Sequence, residues 1–213
     1  MTQNTNFANK TIPDSLLSEA QMVNSSKWTY SLMRPFKPQY ILLSKLFQNI
    51  FPNNTDPYEV YVKVNILNQF YNTWIFAITK LSQNITKLNV DSEIKLGNIS
   101  AVENIAKAFS RKNYSFASKY CAMHNPAMYP INDRIVRGYL SKVIAAGNLS
   151  PYYGARTIVD AKMRTNYSYY KSVYDAFRER YNLKSLDYQE IDAYIWLACK
   201  QPELTKLNLF KLI

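Results

Sequence analysis

The sequence predicts an all-α, mainly helical protein. Apolar residues recur three and four positions apart through most long segments, which is the period of an amphipathic helix. Only 4 glycines occur in 213 residues, too few for a fold built on many tight turns. No two strand-like runs are joined by a hairpin turn signal.

Residues 1–12 read as a loose polar tail. Asp14 or Ser15 suits the cap of a short helix carrying Leu16, Leu17 and Met22. Pro35 and Pro38 interrupt the next stretch, and residues 39–51 then repeat apolar side chains at helical spacing. The run 52–58, PNNTDPY, has loop composition. Residues 58–80 are rich in β-branched side chains, yet their length and i, i+3/i+4 recurrence predict one buried helix. Ser100 with Glu103 three residues on has the pattern of a capping box. Residues 111–124 read as a turn leading into a helix, and 125–132 as a proline-marked loop. Asp133 opens a further helix to about Ala146, with Gly147 as its C-cap. Residues 168–181 and 187–200 are two more helices, and the apolar residues 204–213 are expected to dock on the body. No internal repeat is evident. The length fits a single domain, with subdomains of about 13–110 and 111–213.

Lys and Arg outnumber Asp and Glu 26 to 15. From residue 107 onward the count is 17 against 8, a balance of +9, whereas residues 1–106 hold 9 against 7. A basic half interleaved with many of the 18 tyrosines suits a polyanionic partner with stackable bases. The bland reading is a soluble protein of high pI whose aromatics form its core. Cys121 and Cys199 have no metal-ligand spacing and read as reduced thiols of a cytoplasmic protein. With one histidine, a His-based metal site is not expected, and no cofactor is implied. No apolar run reaches the ~18–20 residues of a membrane span.

One stretch concentrates chemistry-bearing residues: YSFASKYC at 114–121, HNP at 124–126, and YPIND at 129–133. It reads as a turn, a lysine (Lys119) on the following helix, a rigid loop, and an acid (Asp133) at a helix start. A helix N-terminus favours an ionised carboxylate. Arg134 and Arg137 follow on the same segment, placed to grip phosphates. Taken alone, an acid at a helix start is an N-cap and a lysine on a basic face is solvated.

This layout resembles the helix-hairpin-helix DNA glycosylase superfamily, in particular its 8-oxoguanine glycosylase-like branch and that branch's small prokaryotic and phage-defence members. Asn68-Gln-Phe-Tyr-Asn-Thr73 with Ile75, and Asp192-Ala-Tyr-Ile-Trp196, are weaker outlying matches. The resemblance implies two helical subdomains flanking a cleft, with Asp133 and Lys119 as catalytic residues. It implies backbone contacts from Arg111, Lys112, Asn113, Ser115, Ser118, Arg134 and Arg137. It further implies a pocket for an everted base, lined by Phe70, Tyr71, Trp74, His124 and Trp196 with hydrogen bonds from Asn68 and Asp192. The expected partner is double-stranded DNA with a damaged or modified base. The expected setting is a monomer near the nucleoid, in base-excision repair or antiviral defence. The competing reading is a non-catalytic helical DNA-binding protein. A third is a helical interaction protein with no nucleic-acid partner.

Overall fold

The computed structural model describes residues 37–200, and all regular structure among them is helical. The elements are α1 (Lys37–Lys45), a π-helical turn (Leu46–Ile50), α2 (Pro57–Tyr71), α3 (Ile78–Thr86) and α4 (Asp91–Leu96). After them come α5 (Ile99–Lys107), α6 (Tyr114–His124), α7 (Arg134–Ala145), α8 (Arg156–Thr165), α9 (Tyr167–Arg180) and α10 (Tyr188–Lys200). The sequence readings for 1–12, 14–22 and 204–213 lie outside the described residues.

α6 is the axis of the molecule. Nine of its eleven residues are buried, from Tyr114 to Met123, so it carries no polar stripe. It is surrounded by α1, the π turn, α2, α4 and α5. The other end of the fold is made by α7, α8, α9 and α10, with α9 reaching back to α5. Buried side chains of both halves join in one core running from Leu43 to Ile195.

Local chemistry sets most boundaries. Asp56 caps α2 by accepting from Tyr58 and Glu59 N–H, and Pro57 sits at its first position, where no N–H is needed. Asn113 caps α6 through Phe116 N–H, Asp133 caps α7 through Val136 N–H, and Asn166 caps α9 through Tyr169 N–H. Gly147, with φ +76°, closes α7 as expected.

Two expectations need correction. The helix predicted over 58–80 is two helices, α2 and α3, separated at residues 72–77. Asn72 adopts the left-handed conformation (φ 47°), and Asn68 grips the turn: its Oδ1 accepts from Thr73 Oγ1 and Ile75 N, while its Nδ2 donates to Ile75 O. The Ser100/Glu103 capping box does not form. The helix begins at Ile99 after Asn98, and Glu103 instead accepts a 2.6 Å hydrogen bond from Tyr114 on α6. The short α4 and the polar α8 were not anticipated.

Candidate functional site

The central lysine is the least conventional residue of α6. Lys119 is only 7 % exposed. Its Nζ donates to Ser115 Oγ at 2.8 Å and lies 5.3 Å from the ring centre of Tyr71, the last residue of α2. Burial lowers its pKa below the ordinary lysine value; the negative charges of Asp133 and Asp192 oppose that shift and the Arg137 guanidinium adds to it. The amine is therefore easier to deprotonate than a solvated lysine, while two carboxylates stand near enough to act on it.

Those acids come from two elements. Asp133 is the half-buried N-cap of α7, its Oδ1 2.8 Å from Val136 N. Asp192, on α10, lies against buried Tyr174, whose hydroxyl donates to it at 2.6 Å. Burial pushes the Asp192 carboxyl well above the usual carboxylate range. The Tyr174 hydrogen bond and the Lys119 charge oppose this, and Asp133's like charge reinforces it. Trp196, four residues on, shares the helix face of Asp192 and is half-buried. Tyr71 feels both acids, and burial raises its pKa.

A row of tyrosines on α9 holds this arrangement. Tyr167 donates to Pro130 O at 3.0 Å and Tyr170 to Ile131 O at 2.6 Å; Tyr174 is the Asp192 partner. Spaced three and four residues apart, they share one helix face. Their hydroxyls fix the loop that delivers Asp133 and the acid on α10. Composition alone signalled only many tyrosines; their spacing, YSYYKSVY, held the finer clue.

Several residues expected to contact DNA or the base do structural work instead. Ser118 is buried and accepts from Asn132 N–H at 2.9 Å, so it tethers the 125–133 loop to α6. Arg137 is 8 % exposed; it donates to Asn132 Oδ1 at 2.6 Å and pairs with Asp160 at 3.5 Å, so its guanidinium faces inward rather than toward a phosphate. Asn68 spends its amide on the 72–77 turn and has none for a base. Phe70 packs partly buried on the core. Trp74 does not line a closed pocket: it is 77 % exposed on that turn, with Phe76 89 % exposed beside it. Asn113 spends its side-chain oxygen as the α6 cap. Arg111, Lys112 and Arg134 are exposed, as a phosphate contact requires.

His124 belongs to a second polar cluster. Its ring packs edge-on against Phe47 and tilted against Tyr120, and its Nε2 is 3.5 Å from Lys63 Nζ. Lys63, fully buried, donates to Phe51 O, Asn53 O and Asn54 Oδ1. Asn54 in turn donates to Asp91 at the start of α4. Burial lowers Lys63 to about 8, against the opposing charges of Asp91 and Glu59. Burial and the Lys63 charge lower His124 to about 3. The cluster knits residues 51–54 to α2, α4 and α6. Among the described residues no group of His, Cys, Asp or Glu is arranged to hold a metal ion. Nor is any described helix long and apolar enough to cross a membrane.

The described residues thus form an all-helical fold with a buried amine within electrostatic reach of two carboxyl groups. The profile of the HI_0787 N-terminal domain family matches residues 20–128, and the chain belongs to that family. It is 34 % identical over 143 residues to an uncharacterized protein of Haemophilus influenzae, the match covering 65 % of each chain. The alignment therefore spans less than two-thirds of that relative's length. No solved structure matches. The family match includes Lys119 and His124 and stops short of Asp133 and Asp192.

Proposed function

We propose that the chain is a DNA glycosylase that everts a damaged or modified base from duplex DNA and cleaves its N-glycosidic bond. The observation that carries this reading is the buried Lys119 amine, 2.8 Å from Ser115 Oγ, on the helix that Ser118 tethers to the loop ending at Asp133. Cleavage passes through an oxocarbenium-like sugar, whose positive charge an adjacent carboxylate stabilises. Asp133 is given that role. The neutral Lys119 amine attacks C1′ while the electron pair of the glycosidic bond leaves with the base. Of the two amine protons, one goes to the departing base and one to the ring oxygen O4′, whose bond to C1′ breaks as the C=N bond of the imine forms. Asp192, which holds its proton more tightly than ordinary carboxyls, is suited to donate a hydrogen bond or proton to the departing base, and Trp196 on the same face to stack on it.

The exposed cations support the partner. Arg111 and Lys112 lie in the connection between α5 and α6, and Arg134 begins α7 next to Asp133. The turn at 72–77 holds Trp74 and Phe76 in solvent beside Tyr71. Exposed aromatics on a braced turn suit insertion between bases to stabilise the everted state. A monomer acting on chromosomal or invading DNA fits this reading.

The test is incubation with duplexes bearing oxidised purines or modified cytosines. Alkali then reveals abasic sites, and borohydride traps any imine. The expected result is strand cleavage on at least one substrate, abolished by Asp133→Asn, with a trapped adduct lost in Lys119→Met. Duplex binding with no excision on any substrate would favour a non-catalytic DNA-binding protein, and no binding would end both.

A further inference from the structure

We propose that the groove between α7 and α8 is a phosphate track, holding nucleic-acid backbone that runs on from the reacting nucleotide. It rests on the nucleic-acid reading above and adds a footprint that the catalytic cluster does not require. The groove encloses about 520 Å³ and is lined by Arg134, Lys142 and Arg156, with Ser141, Thr157 and Asp160 among its other residues.

Charge marks the groove for a polyanion. Residues 134–165 hold six Lys and Arg against one acid, Asp160. That acid is engaged by Arg137 from beneath, at 3.5 Å. Among the described residues, exposed Arg134, Lys142 and Arg156 form no ion pair. Their charges therefore remain available to a ligand, and the groove is positive on balance. The start of α8 adds to this. Its N-cap is Ala155, which offers no side-chain cap, so the N–H groups of the first turn near Arg156 and Thr157 add a partial positive charge at the same wall.

The track begins beside the catalytic cluster at Arg134 and leads away from it. Lys142 is nine residues beyond Asp133 on a continuous helix, about 14 Å along its axis at ~1.5 Å per residue. A DNA strand rises about 3.4 Å per phosphate along the duplex axis, so that span covers at most about four phosphates. Arg134, next to Asp133, thus meets the phosphate nearest the everted nucleotide, and Lys142 one further along the strand.

The test measures binding by fluorescence anisotropy with the full chain and a duplex carrying a central tetrahydrofuran abasic analogue. Salt is varied, and one flank at a time is shortened from eight to two base pairs. For Lys142→Ala/Arg156→Ala, the slope of log affinity against log salt should fall by about 2, at ~0.9 per phosphate contact. That corresponds to roughly 60-fold weaker binding at 0.1 M salt. Shortening one flank should weaken the unmodified protein by a similar factor and leave the double variant nearly unchanged. Lys95→Ala/Lys184→Ala removes the same charge elsewhere and should keep the slope. If the unmodified protein binds duplex but the groove variant keeps its slope and flank dependence, the track is refuted. If the unmodified protein binds no duplex at any salt, the nucleic-acid reading itself fails.

Discussion

Acid should destabilise this protein through its single histidine. In the folded chain, burial and the Lys63 ammonium hold His124 to about 3; in the unfolded chain it titrates near its ordinary value of 6.5. Between those pH values the unfolded state binds the extra proton, so stability falls as pH falls. From pH 7 to pH 5 the proton uptake of the unfolded chain favours unfolding by about 2 kcal/mol, because a histidine of pKa 6.5 is nearly neutral at the first and almost fully protonated at the second. His124→Gln removes this contribution. It also loses the ring contacts with Phe47 and Tyr120, each worth about 0.5–1.5 kcal/mol, so the variant is less stable at pH 7. The informative quantity is therefore the difference in pH slope. Urea unfolding followed by far-UV circular dichroism at pH 7, 6 and 5 measures it, and the carboxylates common to both chains cancel. Equal slopes for the two proteins, or a His124 ring proton titrating near 6.5 by NMR in the folded state, would refute the reasoning.

Lys63→Met should cost about 3–5 kcal/mol in urea unfolding, because three oxygens around Asn53 and Asn54 lose their common donor inside the fold. Asp133→Asn should reduce excision at least 100-fold while moving the unfolding midpoint little, since Asn caps a helix about as well as Asp. Tyr170→Phe should cost about 1 kcal/mol of stability and lower kcat more than it raises KM, as the loop bearing Asp133 loses the Ile131 anchor. Trp74→Ala should leave thermal unfolding within about 0.5 kcal/mol of the parent, as expected for an exposed side chain, yet weaken duplex binding in the same anisotropy assay.

The sequence disclosed most where one residue's chemistry acted on its own neighbours. Asp133 heading a helix and Gly147 ending one are each decided within four residues, and the structure places them so; the loop read over 52–58 stops at Asp56, because Pro57 takes the first position of α2. The break at 72–77 was hidden because it depends on a side chain that reaches forward: Asn68 lies in α2 and holds residues 73 and 75, so the apolar period on either side looked continuous. α8 was hidden for another reason. It buries only Val159 and Met163, too narrow a face for periodicity to register against its polar remainder.

The site divides along the same line. Lys119 and Asp133 belong to one short stretch, so their proximity was legible, whereas the role of Arg137 was not. A basic residue placed for a phosphate contact differs from a buried strut only through what stands behind it, and here that is Asn132 and Asp160. Its inward turn has a consequence for charge. Arg137 neutralises Asp160 from inside the protein, and without it that carboxylate would face the α7–α8 groove with no internal cation. Arg137 thus helps keep the outer face of the groove positive. Arg137→Met should consequently weaken duplex binding in step with the fold's own loss of stability, and a compensating Asp160→Asn should restore binding more than it restores stability.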